Sequence, residues 1–123
     1  MNAPALPPRL HWWQTRTFVT VMALAATIPL LWPQIPPLVD LPGHMGRYRV
    51  QLAIGEQPWL ANWFDFRWQL IGNLGIDLLI IPLAPILGLE LAVKLIVIAI
   101  PALTVTGLLW IAREVHGLSL IHI

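Results

Sequence analysis

Three long apolar segments, separated by one polar stretch, constrain this chain more than any other feature. No charged residue occurs between Thr17 and Val39. Two further apolar runs, about residues 70–87 and 91–112, carry Asp77 and Lys94 as their only charges. A helix needs about 20 mostly apolar residues to cross a hydrocarbon core of about 30 Å. In lipid the backbone must satisfy its own hydrogen bonds, which helices do within one segment. The pattern therefore predicts an all-α integral membrane fold with three transmembrane helices, at 17–35, 70–87 and 91–112, plus a short interfacial helix. Composition agrees: 58% of residues are hydrophobic and only 11% charged, against about 25% charged in soluble domains. Mean hydropathy is +0.75.

The same composition excludes several functions. A formal net charge of +1 leaves no basic footprint for nucleic acid. Cysteine is absent, which removes disulfides and thiolate metal sites. There is no glycine-rich phosphate loop, paired-histidine metal helix or nucleophile elbow. No metal motif and no cofactor can be assigned from the residues.

Residues 1–16 read as a tail carrying Arg9, His11 and Arg16, with Trp12 and Trp13 at the headgroup level. No small-residue cleavage site follows the first apolar run, which favours an anchor over a removed signal peptide. Pro29 is expected to bend the first span, and Trp32 to mark its far interface. Residues 36–69 form an outer loop, too polar for lipid. Within it, Leu41, Met45, Tyr48 and Leu52 share one face of a short amphipathic helix over about 41–54. That helix is expected to lie along the membrane surface. Residues 88–90 then make an inner turn, so that the second and third spans pair as an antiparallel hairpin. Glu90 and Lys94 are expected to pair as i, i+4 neighbours at the inner interface. Residues 113–123 are a C-terminal stub. Positions 118–123 look like the conceptual translation of a sequencing-library adapter, which would place the natural departure near Gly117; the other reading is an ordinary apolar C-terminus. Arg9 and Arg16 put the N-terminus in the cytoplasm, while Arg113 and the arginines of the loop pull against that orientation.

Candidate functional residues fall into three groups. Asp40, His44 and Arg47 are spaced i, i+4, i+7, and a carboxylate beside an imidazole can act as general base or metal ligand. Asp40 can equally cap the helix N-terminus, with Pro42 in the first turn. Arg47 and Arg49 suit lipid phosphates or a substrate. Asn73 and Asp77 share a face of the second span, where a carboxylate costs roughly 2.5–3.5 kcal/mol to insert. They read as a polar floor beneath an outer-face site, or as contacts to Lys94 or to a helix outside this chain. Trp59, Trp63 and Trp68 can stack on sugars or anchor the loop.

One span, a polar outer loop with an aspartate and a surface helix, then a hairpin: this layout resembles the start of a GT-C-type glycosyltransferase. The segment Val39-Asp40-Leu41-Pro42-Gly43-His44, with Arg47 and Tyr48, carries the resemblance. The stretch from Gly72 to Leu79 is similar to uncharacterised bacterial membrane proteins of like layout, and Lys94 stands where such families often place an arginine. The likeness runs over about residues 15–117. The family's acidic pair is not evident, since Leu41 follows Asp40. The resemblance implies a multi-pass protein of the bacterial inner membrane that uses polyprenyl-phosphate sugar donors. Asp40 would deprotonate an acceptor hydroxyl, with His44 beside it. Arg47 or Arg49 would hold the donor phosphate by charge-assisted hydrogen bonds. Trp63 or Trp68 would stack on sugar or lipid. It also implies an N-terminal fragment, whose partners are the bilayer and further helices or subunits. Two alternatives compete with it: a membrane scaffold or assembly subunit without catalysis, and a piece of a transporter with Asp77 as its ion or proton site.

Overall fold

A computed structural model describes residues 11–70 and 72–119, with side chains as far as Val115. The described residues hold four α-helices and no strand. They are α1 (Arg16–Leu31), α2 (Leu41–Ala53), α3 (Leu74–Leu87) and α4 (Leu89–Ser119), with 3-10 turns at Trp12–Gln14 and Pro58–Asn62. Arg9 and residues 120–123 of the proposed adapter segment lie outside the described residues. Two compact units emerge. Of the described residues, one joins 11–28 with 100–119, and the other runs from Pro29 to Ala99.

Thr15 starts α1 by accepting the Phe18 N–H on its hydroxyl at 3.2 Å, an N-cap that satisfies one free donor. The helix stops at Leu31, four residues short of the expected end. Pro33 disfavours helical backbone at Trp32, and Pro36 and Pro37 prevent any restart. α4 is the one helix among the described residues long and apolar enough to cross a membrane, over Leu89–Val115, 27 residues. It starts before position 91 and continues past 112, because neither Pro101 nor Gly107 breaks it. Thr104 and Thr106 satisfy their hydroxyls on the carbonyls of Ile100 and Ala102 at 2.8 and 2.7 Å, as hydroxyls in apolar helices do.

The second expected span is shorter than 70–87. α3 begins only at Leu74, after Gly72 and Asn73, and ends at Gly88, whose φ of 80° suits a residue without a Cβ. Its 14 residues cover about 21 Å at 1.5 Å per residue. The main helix neighbour of α3 is α2, which replaces the expected pairing along α4.

The turn after α3 is also placed differently from expectation. Lys94 Nζ donates to the carbonyl oxygens of Leu31 and Pro33, at 2.9 and 2.8 Å. Gln34 Nε2 donates to Glu90 Oε2 at 3.4 Å. Residues 90–94 therefore sit at the C-terminal end of α1, where the chain departs towards α2. The expected inner turn at 88–90 thus lies beside the C-terminal end of α1. Glu90 and Lys94 form no ion pair among the described residues. Bare carbonyls at a helix C-terminus attract a cation through hydrogen bonds and the helix dipole together, and here they outcompete the i, i+4 carboxylate.

The Pro29–Ala99 unit has one apolar core: Leu41 and Tyr48 of α2, Ile80 and Ala84 of α3, and Ala92, Val93, Ile96 and Val97 of α4. Met45 and Leu52 pack against it, half-buried. The apolar face expected on α2 is thus the face that packs, with protein rather than lipid as its partner. Fully burying one such side chain is worth roughly 1.5–3 kcal/mol, which helps hold α2 against α3 and the start of α4.

Candidate functional site

α2 and α3 bring an arginine and an aspartate together inside the second unit. Asp77 lies in the first turn of α3, where the helix dipole favours negative charge. It is fully buried. Arg47 Nη1 and Nη2 donate to its Oδ1 and Oδ2 at 2.7 and 2.9 Å, the fork geometry only a guanidinium supplies. One turn further along α2, Gln51 Nε2 donates to the Asp77 carbonyl at 2.9 Å. Gln51 Oε1 is buried and accepts no hydrogen bond among the described residues. Burial lifts the Tyr48 phenol above its ordinary range; the Asp77 carboxylate adds to the rise and Arg47 opposes it.

On its open side Arg47 meets a cleft. The guanidinium lies 5.9 Å from the centroid of the Phe66 ring, within cation–π range. A hollow of about 440 Å³ is lined by Gly43, Gly46, Arg47 and Val50 of α2, facing Phe64, Asp65 and Phe66. A second hollow, about 380 Å³, adds Arg67 and Gln69. Asp65 and Arg67 pair at the surface, 2.6 Å apart. A Cβ added at Gly43 or Gly46 would meet nothing within 4 Å, so the two glycines leave space for an occupant. The cleft offers a half-covered cation, two aromatic rings and a polar rim, which suits a ligand with one apolar and one polar part.

The residues singled out from sequence are divided by the structure. Arg47 and Asp77 come together, although their sequence spacing places them in separate groups. Neither the contact to Lys94 nor one to an outside helix accounts for Asp77; its partner is Arg47. Asp40 occupies the N-cap position of α2, yet its side chain makes no capping bond. Its backbone carbonyl accepts the His44 N–H at 3.1 Å, and the residue is exposed. His44 stacks on Tyr48 with centroids 6.2 Å apart. Neither Asp40 nor His44 lines the cleft. Arg49 is exposed on α2. Trp63 and Trp68 are also exposed; Trp68 meets Phe66 edge-on at 5.3 Å, so it reaches the cleft only through that ring. Asn73 precedes α3 and accepts the Asp77 N–H on its backbone carbonyl at 3.1 Å, with no side-chain cap.

Sequence reasoning missed Gly43, Gly46, Val50, Phe64 and Phe66. Gly43, Gly46, Arg47 and Val50 follow i, i+3, i+4, i+7, so the second face of α2 was there to be found. No group of three or more His, Cys, Asp or Glu residues among those described could hold a metal ion. No family model matches the chain, and no curated protein or solved structure is significantly similar to it.

Proposed function

We propose that this chain is the N-terminal part of a polytopic, glycosyltransferase-like membrane protein, with Asp40 as general base and the Arg47 cleft receiving a lipid-linked donor. The observation that carries this reading is the state of Asp40. Its carboxylate is exposed, just beyond the first apolar helix, and is not used as a helix cap, which leaves it free to take a proton from an acceptor hydroxyl. α1 and α4 are the crossings in this reading, the N-terminus is cytoplasmic and the loop 36–69 lies on the outer face of a bacterial inner membrane. Arg47 turns its remaining open edge to the donor in the cleft, and the exposed Arg49, outside the cleft lining, is a second cation for the donor phosphate. His44 orients the loop around Asp40, and Trp63 and Trp68 meet sugar or lipid.

The test uses the full reading frame. Genomic sequence through Gly117 is expected to continue into further hydrophobic segments. In that full-length protein, Asp40→Asn is expected to abolish sugar transfer from a polyprenyl-phosphate donor at unchanged expression. Full transfer by Asp40→Asn would remove the enzyme reading.

An assembly subunit without catalysis is the second reading. It is favoured by the outward face of α3, where Leu78, Leu79 and Ile86 are exposed and suit a neighbouring apolar helix. The transporter reading is weaker, because Arg47 already neutralises Asp77.

A further inference from the structure

Outside the Pro29–Ala99 unit, a third hollow brings two unpaired cations together. It measures about 400 Å³ and lies between the first turns of α1 and residues 106–114 of α4. Arg16 and Arg113 line it, with Val19, Thr20, Thr106 and Trp110; Glu114 stands at its edge. Neither arginine has an ion-pair or hydrogen-bond partner among the described residues. Thr20 is likewise uncommitted, whereas the Thr106 hydroxyl donates to Ala102. Two guanidinium groups on one hollow repel each other unless an anion lies between them, and one carboxylate leaves a net positive charge. The walls are apolar, formed by Val19 and the Trp110 indole. The faces that continue from the hollow are apolar and open: Leu24, one turn beyond Thr20 on α1, and Leu103, two turns before Trp110 on α4, are both exposed.

We propose that this hollow binds the phosphate headgroup of an anionic membrane lipid, with its acyl chains along the exposed faces of α1 and α4. Arg16 and Arg113 hold the phosphate oxygens by charge-assisted hydrogen bonds. The Thr20 hydroxyl adds a donor, and Trp110 packs against the glycerol region, where indole rings favour the interface. A free phosphate would use the same cations but leave the apolar wall empty, which is the reason to assign the site to a lipid. The inference rests on α4 spanning the bilayer, and not on the glycosyltransferase reading.

The experiment uses the whole chain. Carbonate extraction of membranes first tests insertion. Native mass spectrometry in a neutral detergent then compares phosphatidylglycerol, phosphatidylcholine and inorganic phosphate. The expected result is one phosphatidylglycerol bound per chain, with a preference over phosphatidylcholine on the order of tenfold or more. Arg16→Gln with Arg113→Gln should erase that preference, and Glu114→Gln should raise it, a gain that misfolding cannot imitate. Extraction of the chain by carbonate would overturn the spanning reading and this inference together. Insertion without lipid preference, or a preference that survives loss of both arginines, would overturn this inference alone. Displacement of the lipid by stoichiometric inorganic phosphate would overturn the assignment to lipid.

Discussion

Arg47 and Asp77, thirty residues apart, form a two-pronged ion pair in which the carboxylate is fully buried and the guanidinium keeps one edge open to the cleft. The carboxylate has no water to fall back on. Removing its partner strands a charge, while removing both leaves a hole that apolar atoms can fill.

Asp77→Asn or Arg47→Met alone is therefore expected to cost roughly 3 kcal/mol, towards the lower end for a buried pair because Arg47 is partly solvated. The combined change Arg47→Met with Asp77→Leu should recover most of that loss. A double-mutant cycle of chemical unfolding in detergent measures the coupling; additive single effects would mean that the pair does not hold α2 to α3.

The placement of residues 90–94 has a direct chemical check. The chain contains no cysteine, so Gln34→Cys with Glu90→Cys introduces one clean pair. A short bismaleimide is expected to join them, since the native side chains are 3.4 Å apart. On opposite sides of a membrane the two positions would stand about 30 Å apart and no product would form. Lys94→Met in the same background should lower the yield by loosening this end.

Much of the helical content could be read from the residues. The apolar face of α2 is visible in the spacing of Leu41, Met45, Tyr48 and Leu52, and α4 in its long apolar run. What that run of faces does not reveal is the partner, because lipid and protein reward the same side chains. The Arg47–Asp77 bond joins two helices across a loop, and no local periodicity encodes such a contact. Lys94 shows the converse difficulty: its spacing from Glu90 pointed to a neighbour, but the free carbonyls at the end of α1 are invisible in a side-chain pattern. α3 is shorter than its apolar run, because the helix begins only after Gly72 and Asn73.

Tyr48, the single tyrosine, allows a pH test. Its phenol ionises above the ordinary value of 10.0 in the folded chain, so the native state keeps its proton longer than the unfolded one. Stability is then unaffected by this residue below pH 10 and falls as pH rises from 10 towards the folded value. Near-ultraviolet difference absorbance of tyrosinate should appear later in the native chain than in denaturant. Coincident curves would mean that the phenol is not shielded.

Gly46→Ala is expected to stabilise the chain by about 0.5–1 kcal/mol, since alanine loses less conformational freedom in a helix interior and its methyl meets open space. Gly46→Leu should fold as well but fill the cleft. A ligand that binds Gly46→Ala and not Gly46→Leu, by calorimetry, would locate its site beside Arg47; equal binding to both would place it elsewhere.

The Lys94 fastening grips main-chain oxygens. Any residue at position 31 presents the same oxygen, so mutational drift there leaves the join intact. Only loss of the amine, or a shift of the helix end that carries those oxygens away, undoes it. The join is thus robust to change at one end and dependent on a single side chain at the other.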